Sequence, residues 1–278
     1  MSGTLYIVAT PIGNLQDISS RAIEVLRDVD VIAAEDTRHS ARLMQHLDIK
    51  THMVAIHEHN ERQKREWLAD KLLAGENIAL ISDAGTPLIS DPGYPLVNYC
   101  RERGITITPI PGACAVITAL CASGLPTDAF QFGGFLAVKS VAKTQQLEKL
   151  IRATATHIFY ESPRRIIDTL NHCQKVLPEG RKLVVAKELT KSFEQFIAGT
   201  ASEILDWFKA NEDRLKGEFV LLIGPDEEPD SGIPEEAIRL LKTLSEELPL
   251  KKAAGIVAGH YQLKKNELYS LGLGWKGD

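Results

Sequence analysis

Between Thr4 and Ile110 the chain alternates short apolar runs with longer amphipathic ones, and this rhythm constrains the fold more than any other feature. The apolar runs are Thr4–Thr10, Val31–Ala34, Met53–Ile56, Ile78–Ser82 and Ile105–Ile110, and each reads as a strand. The segments Ser19–Val29, Arg38–Leu47, Asn60–Ala74 and Pro95–Arg103 read as helices between them. Ser19 stands where an N-cap belongs, with Ala22, Ile23, Leu26 and Val29 at helical spacing after it. Gly75 and Gly104 stand where helices end. Strand and helix in strict turn predict an α/β architecture with a mainly parallel sheet and helices on its faces.

The second half changes character. Strands are expected at Phe130–Phe135, His157–Tyr160, Leu183–Lys187, Phe193–Ile197 and Phe219–Ile223. Helices are expected at Val141–Ala153, Arg164–Val176 and Ala201–Ala210. Around Leu189–Ser192 there is no room for a crossover helix, so the second sheet should be mixed or antiparallel. Asp226–Glu236 is acidic and rich in Pro, Gly and Ser, and reads as a linker. Beyond it, Ala237–Glu247, Leu250–Tyr261 and Lys264–Leu271 read as a small helical unit with helix-turn-helix spacing, while Gly272–Asp278 looks non-helical. The expected division is an N-terminal α/β domain at 1–112, a second at 113–225, and a helical module at 233–278.

Composition narrows the function classes. With 44% hydrophobic and 25% charged residues, the chain is neither disordered nor fibrous. No apolar run approaches the roughly 20 residues a bilayer requires, and the N-terminal MSGTLYIVATPIG lacks a basic n-region, so neither a membrane span nor a signal peptide is expected. Cys100, Cys114, Cys121 and Cys173 form no C-x-x-C pair and read as small buried hydrophobes in a reducing cytoplasm. His57 and His59 flank Glu58, but no third ligand stands at useful spacing, so no metal site is expected. A net charge of −5 leaves any nucleic-acid substrate to a local basic patch. The tail offers one, in Lys251, Lys252, Lys264, Lys265 and Lys276.

The stretch Ser82–Gly93, SDAGTPLISDPG, cannot be a regular element. It follows a strand and precedes a helix, at the carboxyl edge where open α/β sheets bind ligands. Thr10–Asn14 and Pro109–Ala115 are small-residue loops after two further strands, and the three together outline a pocket. Neither a G-x-G-x-x-G turn after a strand nor a P-loop is present, which excludes the common dinucleotide and NTPase sites.

In order and spacing, ATPIGNLQDIS, AAEDTRHS, LISDAGTPLISDPGYPLV, PIPGACAVITAL, GFLAVKS, YESPRRI, AKELTK and KGEFVLLI resemble the bacterial 16S rRNA (cytidine-2′-O)-methyltransferases, a family with the two-domain tetrapyrrole methylase fold. The resemblance runs from Thr4 to Tyr269. It departs from the family pattern at Ala9 and Ala137, where proline is common, and at Arg164, where histidine is common. It implies S-adenosylmethionine folded in the cleft between two domains. Cofactor contacts are implied for Pro11, for Ser82, Asp83, Ala84 and Gly85, and for Pro111, Gly112, Ala113, Cys114 and Ala115. The second domain would add Tyr160, Glu161, Leu189, Gly217 and Glu218.

The resemblance further implies a cytoplasmic homodimer that methylates one cytidine ribose 2′-hydroxyl in 16S rRNA of the small subunit. Glu35 or Asp36 would orient that ribose or accept its proton, against the alternative that Asp36 only caps a helix. Asp91 is a further candidate, against a turn-stabilising role. Lys139, Lys143, Arg164 and Arg165 would line a phosphate-contacting wall, helped by Lys251, Lys252, Lys264 and Lys265, or else form a solvated face. A methylase acting on a tetrapyrrole is the alternative function.

Overall fold

The computed structural model describes residues 2–57, 60–226 and 233–275. Its strands β1 (Thr4–Val8), β2 (Val31–Ala34), β3 (Met53–Ala55), β4 (Ile78–Ile81) and β5 (Thr106–Ile110) form one sheet in the order β3-β2-β4-β1-β5. Every pairing in it is parallel. β2 and β4 are buried at all positions, as strands covered on both faces must be. Along them the side chains alternate between two cores. Val31, Ala33 and Leu80 pack with α3 (Glu61–Leu73) and α4 (Tyr94–Glu102). Ile32, Ala34, Ala79 and Ile81 pack with α1 (Ser20–Asp28) and α2 (Thr37–His46).

The chain then enters a helix that periodicity did not reveal, α5 (Ala115–Ala122). Its sequence AVITALCA is apolar nearly all round, so it carries no amphipathic stripe to recognise. Val116, Ala119 and Leu120 pack it against the second sheet. That sheet holds β6 (Phe130–Phe135), β7 (Thr156–Glu161), β8 (Leu183–Lys187), β9 (Gln195–Gly199) and β10 (Phe219–Ile223), in the order β6-β7-β10-β8-β9. Only β6–β7 is parallel, so the sheet is mixed. Its other face is covered by α6 (Ser140–Glu148), α7 (Ile166–Val176) and α8 (Ala201–Ala210).

Some expectations are corrected. β9 begins at Gln195 rather than Phe193, because Glu188 and Thr190 take left-handed backbone (φ +50° and +64°) and the chain turns through Lys191–Glu194. Phe193 is left exposed. α6 stops at Glu148, five residues short of Ala153, where i+3 bonds replace the helical ladder. Cys100 and Cys173 are buried, but Cys114 is half-buried and Cys121 exposed.

The chain divides into two compact units, Met1–Pro225 and Asp226–Asp278. The expected boundary at residue 112 falls within the first unit, between β5 and α5. Within the second unit, α9 (Glu235–Glu247), α10 (Leu250–Tyr261) and α11 (Lys265–Gly274) enclose Ala237, Leu241, Ala253, Val257 and Leu268. Gln262 turns left-handed (φ +56°) to end α10. α11 runs through Gly272, contrary to the non-helical reading. A Cβ there would lie 2.3 Å from Leu250 Cδ1, so glycine is what lets α11 approach α10. Of the expected linker Asp226–Glu236, residues 227–232 lie outside the described residues and Glu235 already opens α9; Glu58, His59 and Lys276 also lie outside the described residues. Among the described residues no helix is long and apolar enough to cross a membrane, and no group of His, Cys, Asp and Glu is placed to hold a metal ion.

Candidate active site

The loops after β1 and β4 meet because those strands are neighbours in the parallel sheet. Thr10 N–H donates to Gly85 O (2.9 Å) and Gly85 N–H to Thr10 O (3.1 Å). The Thr10 hydroxyl donates to Ser82 O at 3.3 Å. The loop after β5 joins them through the Thr86 hydroxyl, which donates to Ala113 O at 3.0 Å. Gly85 sits at the junction with φ +83°, and a Cβ on it would stand 3.2 Å from Ile12. The three small-residue loops therefore cluster.

The loop after β2 is tied in by carboxylates. Asp36 N–H donates to Asp83 Oδ1 (3.1 Å) and Asp83 N–H to Glu35 Oε2 (3.3 Å). Burial raises the Glu35 carboxyl pKa, and the nearby Asp83 charge adds to the rise. Asp36 is the N-cap of α2. Its Oδ1 accepts from Arg38 N–H (2.8 Å) and its Oδ2 from the Arg38 guanidinium (2.9 Å). Those bonds hold the Asp36 pKa down at about 2. The capping alternative is the arrangement present.

Between these loops and the second sheet lies a cleft of about 700 Å³, open to solvent. Of the residues expected at the cofactor, Ala84, Gly85, Ala115, Tyr160, Glu161 and Glu218 line it. Ser82 is buried behind the loop, and Leu189 is packed in the core. Gly217 (φ +91°) has no room for a Cβ, which would overlap the Glu188 carboxylate. Pro11, Pro111, Gly112, Ala113 and Cys114 lie in the flanking loops without lining the cleft. Sequence reasoning missed Ile12, Thr86, Ile89, Phe135, Phe219 and Val220, which also line it. Phe135 ends β6 half-exposed, an unusual place for a large aromatic ring that only the structure reveals. Asp91 faces the same cleft, and its carboxyl is pushed up to about 6, chiefly by burial. Desolvation raises the Tyr160 hydroxyl pKa too.

The expected phosphate wall does not survive intact. Lys139 and Arg164 are exposed. Lys143 is 1% exposed, and its ammonium donates to Asp168 Oδ2 (2.7 Å) and Thr169 Oγ1 (3.1 Å). It stands four residues before Leu147 on the buried face of α6, a spacing that the sequence itself displays. Arg165 also turns inward, pairing with buried Glu161 (3.2 Å) and donating to Leu136 O at 2.5 Å. Thr169 Oγ1 donates to Glu161 Oε2 at 2.7 Å, closing a buried network. Both cations brace the wall that carries Phe135; the Lys143 side chain is buried, and that of Arg165 is 26% exposed. In the second unit Lys251, Lys252, Lys264 and Lys265 are all exposed.

Comparison with known proteins agrees with this geometry. Residues 4–205 match the family described as Tetrapyrrole (Corrin/Porphyrin) Methylases, and residues 231–276 match the RsmI C-terminal HTH domain. The ribosomal RNA small subunit methyltransferase I of Haemophilus influenzae is 53% identical over 98% of this chain and 97% of its own length. That of Escherichia coli O157:H7 is 51% identical over 99% and 96%. The uroporphyrin-III C-methyltransferase of Thermus thermophilus, solved in complex with S-adenyl homocysteine, superposes with a TM-score of 0.54. It shares 14% identity over 80% of this chain and 97% of that one, a likeness of fold alone. On the strength of end-to-end identity to these relatives, the chain belongs to the ribosomal RNA small subunit methyltransferase I family, within the tetrapyrrole methylases.

Proposed function

We propose that the chain methylates ribosomal RNA with S-adenosylmethionine, and that the acceptor is the 2′-hydroxyl of one cytidine ribose in the decoding centre of 16S rRNA. The observation that carries this reading is near-complete alignment with rRNA methyltransferases through both the cleft unit and the helical unit. The cleft suits the donor. Its apolar surface, from Ile12, Ile89, Phe135, Tyr160 and Phe219, matches an adenine ring. The main chain opened by Gly85 matches ribose hydroxyls. When bound there, S-adenosylmethionine supplies an electrophilic methyl group on a sulfonium.

The chain's own work is to position. The loops at Ser82–Gly85 and Pro111–Ala115 hold the donor, and Phe135 and Tyr160 shield it from water. Exposed Lys139 and Arg164, with Lys251, Lys252, Lys264 and Lys265, supply cations for RNA phosphates. The proposed cleft separates parts 1–112 and 113–225 of a cytoplasmic homodimer.

The test is transfer of radiolabel from S-adenosylmethionine to small subunits of an unmethylated strain, with uroporphyrinogen as the competing acceptor. Label on one cytidine ribose is the expected result. Label on the tetrapyrrole only, with cofactor binding intact, overturns it.

A further inference from the structure

Three carboxylates line the cleft, those of Asp91, Glu161 and Glu218, and the last two are ion-paired, while Glu35, Asp36 and Asp83 stand in the loops behind it. Asp36 is bound to Arg38 through both oxygens. Asp83 accepts from the Asp36 N–H, and Glu35 accepts from the Asp83 N–H. Glu161 accepts from Ser162 N–H, Thr169 Oγ1 and Arg165. Glu218 Oε2 accepts from Lys191 Nζ at 2.9 Å. Asp91 lines the cleft with a hydrogen bond from Ser82 and no ion pair among the described residues.

Its backbone is also set with unusual care. Leu88 (φ +73°) and Ser90 (φ +69°) are non-glycine residues in left-handed conformation, and Gly93 (φ +125°) follows. A Cβ on Gly93 would lie 2.8 Å from Leu80, so the loop that aims Asp91 is locked against β4. Strain of this kind is kept where the surrounding structure requires one particular geometry.

We propose that Asp91 is the group that takes the proton from the attacking hydroxyl, a role that rests on reading the cleft as the site of methyl transfer. The groups facing it are the Ser82 hydroxyl, the Glu35 and Asp83 carboxylates and, across the cleft, the Tyr160 phenol. Burial and the two neighbouring carboxylates raise its pKa to about 6, and Ser82 opposes the rise. A base in that range is ionised at neutral pH yet still basic enough to accept a proton. The hydroxyl proton passes to an Asp91 carboxylate oxygen and then to solvent. The ribose oxygen uses its electron pair for the new bond to the methyl carbon, and the pair of the broken carbon–sulfur bond leaves with sulfur.

The test compares wild type, Asp91→Asn and Asp91→Glu in single-turnover methyl transfer to small subunits between pH 5 and 8.5, with calorimetric binding of S-adenosylhomocysteine alongside. Wild type should gain about tenfold in rate per pH unit below about 6 and then level off. Asp91→Asn should lose about 10²–10⁴-fold in rate and the acid limb with it, with affinity changed by less than about threefold. Asp91→Glu, which keeps the carboxylate, should retain the limb. Asp91→Asn with an unchanged rate, or with weakened binding but an unchanged saturated rate, overturns the proposal. If wild type labels no rRNA while S-adenosylhomocysteine binding is intact, the acceptor reading has failed instead.

Discussion

On the side of the parallel sheet the cleft is held mainly by main chain, and on the side of the mixed sheet by buried side-chain charge. The Thr10–Gly85 bridge and the amides of Asp36 and Asp83 lock the loops of the first wall. Glu161, Arg165, Thr169 and Lys143 lock the second, with Leu136 O as the point where the network grips the strand end below Phe135. The contrast follows from topology. A parallel sheet delivers several loops to one edge, where their backbones bond to one another. The mixed sheet delivers fewer, so side chains from α6 and α7 must reach in.

The largest effect should come from Glu161→Ala, which leaves Arg165 without its buried partner. A loss of about 3–5 kcal/mol is expected in urea denaturation of the whole chain. An unchanged midpoint would mean that the second wall does not depend on its ions.

Next is Gly85→Ala, which forces a side chain into left-handed backbone beside Ile12. The expected cost is roughly 1–2 kcal/mol, together with weaker binding of S-adenosylhomocysteine. Full affinity would show that the loop junction does not shape the cleft.

The smallest effect should come from Asp36→Ala. Bonds from Arg38 lower the Asp36 pKa from 3.8 to about 2. Its carboxylate therefore stabilises α2 above the unfolded value, and that contribution fades as pH falls through about 2. Thermal melts should show the variant slightly less stable at pH 7 and converging on wild type as pH falls through about 2. A large drop in methyl transfer, with melting unchanged, would return Asp36 to the chemistry.

Much of the fold was legible. Apolar runs such as Val31–Ala34 and Ile78–Ile81 state their own burial, and the α/β alternation follows from them. Helices with a polar face, such as α1 and α9, were placed to within a residue or two. α5 was not, because its residues are apolar on the exposed side as well as the buried one, and so show no period. The cleft was legible only as three loops. That Ser82–Gly93 follows a strand is a local fact, whereas Phe135 and Phe219 reach the same space from two strands of the other sheet.

By itself, then, the sequence determined which segments are buried, which loops cannot be regular, and what family the chain resembles. All of these are written in residue type and near-neighbour spacing. Tertiary structure alone decided which charges face water. Lys143 and Lys139 sit four residues apart in the same basic stretch, yet one lies under α7 against Asp168 and Thr169 while the other is exposed. Tertiary structure alone also decided the partners of Glu35 and Asp83, which come from other segments of the chain. A charged side chain's cost of burial depends on what meets it there, and that partner is set by the fold.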